Sequence, residues 1–173
     1  MRTRIGLVAT FAVVAALLFG VYSFFHEHIF LVSAPSMRGG LYYLHPGTVP
    51  KRGKVAIACV PRSFAQWALA TGILKRDARC DGVEPAAKRV VALGGDRVAI
   101  TARGVFVNGH FERGSQRLTL YHGRRMPATP LATFRLRPGE VLLLGDNRSA
   151  SFDGRYFGPT DHVLGRADLI LPL

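Results

Sequence analysis

The sequence predicts a mainly β domain carrying a short helical insertion and one N-terminal transmembrane helix. Three features lead there. Ile5 to Phe25 is a run of 21 residues without a charge, and about 20 apolar residues suffice to cross a bilayer core of about 30 Å. Behind it, short Val/Ile/Leu-rich runs alternate with Gly, Pro, Asn and Asp, the punctuation of strands and turns. A single later stretch has helical spacing instead. The length of 173 residues suits one domain with an appendage. An apolar content of 49% excludes a disordered chain. Two cysteines are too few for a multi-disulfide scaffold or a four-cysteine zinc site.

The N-terminal run follows Arg2 and Arg4. The positive-inside rule puts that end in the cytoplasm and everything after the run outside. The run exceeds the apolar length of a cleavable signal peptide, and the small-residue site Val32-Ser33-Ala34 is followed by Pro35. Residues 1–28 are therefore expected to be an uncleaved anchor, with residues 29–173 as the exported domain. Were the anchor cleaved, the domain would still be exported.

Strands are expected at 54–60, 88–93, 97–101, 105–107 and 141–144. Asn108-Gly109 marks a two-residue hairpin between Phe106 and Phe111. Arg137-Pro138-Gly139-Glu140 is a turn before the last of these strands. Ser63 to Arg76 places Phe64, Trp67, Ala68, Thr71 and Leu74 near helical spacing, with Ser63 as the expected N-cap. This helix lies between Cys59 and Cys80. In an oxidising compartment those two would form a disulfide at its base, contributing about 3 kcal/mol in the chain-entropy model.

The net charge is +12, and 19 of the 23 basic residues are Arg. The charges are dispersed, without a basic run, helix-turn-helix or zinc-finger pattern. A membrane-facing or solvated surface is expected, with no nucleic-acid partner.

Three stretches carry the residue types of a catalytic site. Ser36 lies in Ala34-Pro35-Ser36-Met37, just beyond the apolar run. Lys88 opens Lys88-Arg89-Val90-Val91-Ala92-Leu93-Gly94-Gly95-Asp96. On a strand, Lys88, Val90 and Ala92 would share a face. An apolar surround could lower the amine from its usual pKa of about 10.4 to about 7–8, making it a base at a desolvation cost of about 4 kcal/mol. Arginine stays charged and cannot do this. The third stretch, Gly145-Asp146-Asn147-Arg148-Ser149-Ala150-Ser151-Phe152-Asp153-Gly154-Arg155, is rich in groups that order a loop.

In this order the three stretches resemble the type I signal peptidase superfamily of Ser-Lys proteases. The short chain, the single anchor, Gly40-Leu41-Tyr42 after the serine and the two cysteines around the insertion are most similar to the conjugative-transfer (TraF-type) branch. The resemblance implies a signal-peptidase-like β-fold. It implies Ser36 as nucleophile, Lys88 as general base, Ser151 as the hydroxyl that orients the amine, and Asp153 with Arg155 as a bracing ion pair. It also implies a membrane-embedded pilin or preprotein substrate, cut or cyclised, contact with inner-membrane lipid, and no metal or cofactor. A general signal peptidase and a non-catalytic assembly protein of a transfer apparatus are the alternatives.

The chain departs from the family pattern at three positions. Gly94 stands where relatives carry proline and Gly154 where they carry serine. Ala34 occupies a position where many offer an oxyanion-stabilising hydroxyl, leaving the Ser36 N–H with Ser33 or another donor.

Overall fold

The computed structural model describes residues 2–121, 123–127 and 131–173. Helix α1 (Arg2–His28) has 27 residues, a rise of about 40 Å at about 1.5 Å per residue. Its segment Phe11–His28 is long and apolar enough to cross a membrane, and none of that segment is buried against the rest of the protein.

Strand β1 (Ile29–Val32) follows without a linker, then β2 (Gly40–Pro46) and β3 (Val55–Ala58). Helix α2 (Arg62–Ala70) leads to β4 (Ala86–Leu93), β5 (Arg97–Thr101), β6 (Gly104–Val107) and β7 (His110–Phe111). The small strands β8 (Leu120–Tyr121), β9 (Arg124–Arg125) and β10 (Ala132–Arg135) come next. Strand β11 (Val141–Leu144), helix α3 (Gly154–Phe157) and β12 (Val163–Pro172) complete the order.

The main sheet runs β1-β2-β12-β3-β4-β11, with all neighbours antiparallel. A second sheet runs β10-β5-β6-β7, and β8 pairs with β9. Strand β2 shows the expected alternation: Gly40, Tyr42 and Leu44 are buried while the residues between them are half-buried. Those buried side chains join Phe30, Val32, Met37, Ile57 and Ala87 in one core. A second core, built on Val98, Val105, Leu136 and Leu142, lies between the two sheets. A third packs α2 against Phe152, Tyr156 and Phe157.

The Asn108-Gly109 hairpin forms as expected, with φ of 50° and 83° at the two positions and Val107 opposite His110. At the Arg137 turn, the Glu140 carboxylate accepts from the Arg137 N–H at 2.6 Å. Several boundaries differ from expectation. The helical insertion ends at Ala70, because the Thr71 hydroxyl donates to Trp67 O and Gly72 turns the chain at φ 67°. Pro61 holds the N-cap position without a side-chain cap, so Ser63 lies inside the first turn. Val90 and Ala92 do not share a core. The β4–β11 register slips so that Val91 has no partner, and Val90 and Ala92 pack into different clusters. The Cys59–Cys80 disulfide forms with Cα atoms 5.3 Å apart.

Candidate active site

Ser36 lies in the tight turn between β1 and β2, where Met37 N–H donates to Ala34 O. The turn is fastened from several sides. Buried Met37 anchors it to the core, and the Tyr42 hydroxyl donates to Arg38 O at 2.8 Å. The Asn147 N–H donates to Ser36 O at 3.1 Å, and the Leu173 N–H to Gly39 O at 3.2 Å. Gly40 has φ 152°, and a β-carbon there would lie 2.3 Å from Leu171 O, so only glycine lets β12 close over this turn.

Lys88 projects from β4 into the same place. Its Nζ donates to Ser36 Oγ at 2.8 Å, and both side chains are buried. Burial lowers the Lys88 pKa to about 8, against an upward pull from Asp153 and Asp146. Desolvation is the larger effect: among the described residues the amine's hydrogen-bond partner is a neutral hydroxyl. A large fraction of the amine is thus neutral in mildly alkaline solution and can accept the serine proton.

Asp153 and Arg155 are both fully buried. Arg155 Nε donates to Asp153 Oδ1 at 2.8 Å, and a terminal nitrogen to Oδ2 at 3.0 Å. The guanidinium also donates to Gln116 O, Arg148 O and Ser151 O. Asp153 accepts the Gly145 N–H and caps α3 through the Arg155 N–H. The pair therefore fixes the 145–155 loop, which in turn grips Ser36 O through Asn147. Gly154 fits where the serine expected from the resemblance would not: a β-carbon there would approach Leu143 O to 2.8 Å.

Ser151 differs from the sequence expectation. It is fully buried, but its Oγ has no hydrogen-bond partner among the described residues and so does not hold the Lys88 amine. It packs instead over Gly145, where an added β-carbon would lie 2.3 Å from it. Two residues beside the site had no role assigned from sequence. Arg89 donates two hydrogen bonds to the Asp146 carboxylate and one to Gly53 O, tying β4 to the 145–155 loop just outside Lys88. Their positions next to Lys88 and between Gly145 and Asn147 were the available signal.

A cleft of about 290 Å³ opens onto Ser36 and Lys88. Phe30 to Pro35 form one wall and Glu84 to Lys88 the other, over Ile57 and Phe152. Ser33 lines it, and the Ser36 N–H takes no acceptor among the described residues, so it can meet a developing oxyanion. The lining is mixed, with Phe30, Ile57, Leu74 and Phe152 beside Ser33, Lys75 and Glu84, and β1 on one side is an edge strand, which suits an extended peptide.

Residues 3–171 match the family described as signal peptidase, peptidase S26. The plasmid transfer protein TraF of Escherichia coli is 45% identical over 75 residues, 43% of this chain and 42% of that protein. The probable conjugal transfer protein TraF of Sinorhizobium fredii is 33% identical over 122 residues, 69% of this chain and 63% of that one. The matched stretches thus span about two fifths to three fifths of these relatives' lengths. A solved signal peptidase I of Enterococcus faecalis aligns with a TM-score of 0.40 at 22% identity, covering 69% of this chain and 97% of that one.

Proposed function

The chain belongs to the signal peptidase S26 family, and from that premise we propose a membrane-anchored serine endopeptidase that processes a pilin precursor for conjugative transfer. The observation that carries this reading is the buried Lys88 amine 2.8 Å from Ser36 Oγ. The similarity to plasmid transfer proteins supports the substrate class.

In this reading neutral Lys88 takes the Ser36 proton as Oγ attacks the scissile carbonyl. The oxyanion is met by the Ser36 N–H. The Lys88 ammonium then returns its proton to the leaving amine, and the acyl group stays on Ser36. Water, activated by Lys88, releases a linear product; the precursor's own amine releases a ring. Asp153 and Arg155 act by holding the loop that fixes Ser36. Residues 1–28 anchor the enzyme in the inner membrane with the N-terminus cytoplasmic, and residues 29–173 stand in the periplasm, so that enzyme and precursor meet at one lipid surface.

The test is to incubate the full chain, in vesicles, with a membrane-inserted pilin precursor and with an ordinary secretory preprotein. Mass spectrometry of the products reads the outcome. Cleavage of the pilin precursor that is lost in Ser36→Ala supports the proposal, and a product lighter by one water indicates ring closure. Cleavage of the preprotein alone favours a general signal peptidase. Cleavage of neither leaves a non-catalytic assembly protein.

A further inference from the structure

The helical insertion does more than decorate the domain. Its Ile73, Leu74 and Lys75 line the cleft that leads to Ser36. Its far arm is braced by several bonds. Cys80 is tied to Cys59 at the end of β3, the Glu84 N–H donates to Lys75 O, and the Asp77 N–H to Gly82 O. From this arm Arg79 reaches over to β1, where its guanidinium carbon lies 4.3 Å from the centre of the Phe30 ring. Asp77 aims it, accepting from Arg79 Nε at 2.9 Å and from a terminal nitrogen at 2.6 Å. Phe30 and the insertion's Ile73, Leu74 and Lys75 line the cleft while Arg79 does not, so this contact joins the two sides at the cleft's margin.

We propose that Arg79, stacked on Phe30 at the margin of the cleft, is a size filter for the substrate residue about four positions before the cut. The position follows from spacing. Glu84 lies four residues before Lys88, and an extended chain covers about 13 Å in that length at about 3.3 Å per residue. A substrate running along this wall from Ser36 reaches the bridged end at about its fourth residue. The direction follows from the anchor: Phe30 is two residues beyond the end of α1. The bridged end is therefore the one nearest the membrane, where an inserted precursor enters and where residues preceding the cut must lie. This inference rests on the proposed peptidase reading for that direction. Small side chains fit inside this margin, and bulky ones must displace the guanidinium.

The experiment measures binding separately from cleavage. Peptides spanning the pilin cut site carry Ala or Trp at the fourth residue before the cut, with the third and fifth scanned alongside. Their affinities are measured on the full-length Ser36→Ala protein, which binds without turning over, and cleavage by the unaltered chain is followed in parallel. The expected result is a preference for Ala of roughly tenfold. It disappears in Ser36→Ala/Arg79→Ala and partly persists in Ser36→Ala/Arg79→Lys, which keeps a cation on the ring. Ser36→Ala/Asp77→Asn, which releases the aim of Arg79, should weaken the preference should the Arg79→Ala protein fail to fold. An Ala/Trp ratio unchanged by these variants, no ratio at all, or no binding overturns the filter. Size-selective binding without cleavage by the unaltered chain would retain the filter and refute the peptidase reading.

Discussion

The Lys88 amine lies 2.8 Å from the Ser36 hydroxyl, in a place closed to water on nearly all sides. A charged amine is costly there, and a neutral one is a base aimed at the only proton it needs to take. The same burial therefore governs both activity and stability, and both should rise with pH.

Activity comes first. Ser36→Ala and Lys88→Arg should each abolish precursor cleavage while leaving the circular dichroism spectrum unchanged, since arginine stays charged at any working pH. In the unaltered chain kcat/KM should climb through a pH of about 8 and then level, following deprotonation of Lys88. A profile flat across that range, with chemistry rate-limiting, would remove lysine as the base.

Stability follows from the same group. Its folded pKa of about 8 lies below the ordinary 10.5. Between these values the unfolded chain binds more protons, so stability should rise with pH through that window. Below it the folded protein carries the whole cost of a buried charge, about 3 kcal/mol. Lys88→Met should gain roughly that amount at neutral pH, and the gain should fade as the pH approaches 10.5. Urea midpoints at several pH values would show whether the slope is lost.

Asp153→Asn leaves the Arg155 guanidinium buried without its counter-charge. A loss of about 3–5 kcal/mol is expected. Asp153 is also the first of the charges that hold the Lys88 pKa up. Its removal should move the activity inflection to lower pH in whatever fraction remains folded, and an unmoved inflection would show that this carboxylate does not act on the amine.

Gly145→Ala places a β-carbon 2.3 Å from Ser151 Oγ and 2.9 Å from Ser36 O. The loop or the nucleophile must shift, and misplacement by about 1 Å can cost on the order of 10²-fold in rate. Adding Ser151→Ala removes that hydroxyl but leaves the residue-151 β-carbon 2.7 Å away, so activity should recover little. Ser151→Ala alone should not lower the melting temperature, because the hydroxyl it removes is buried and unbonded.

Replacing Cys59 and Cys80 by serine should lower stability by about 2–4 kcal/mol. Thermal unfolding with and without reductant checks this, since reduction should bring the unaltered chain down to the double variant and leave the variant unmoved.

Much of the site was legible because its residues lie in contiguous stretches. Ser36, Lys88, Asp153 and Arg155 were picked out by the resemblance of those stretches to the signal peptidase pattern, since none of them stands out alone, and the structure brings the first two into contact and pairs the last two. The Asn108-Gly109 hairpin was legible because its backbone geometry is set within two residues. Ser151 was not, because whether its hydroxyl meets Lys88 or packs over Gly145 is decided by loop closure rather than by spacing. The contact of Arg79 with Phe30 depends on where the insertion folds back, which no local pattern encodes. Strand β12 was missed for two reasons. Gly165 and Asp168 break its apolar run, and its place in the sheet depends on partners far away in the chain.

That last strand has a consequence for when the molecule can work. It inserts between β2 and β3, joining the half of the sheet that bears Ser36 to the half that bears Lys88. A nascent polypeptide that lacks it has no hydrogen-bonded strand between those halves, so the register that sets hydroxyl against amine is completed only once β12 has been made.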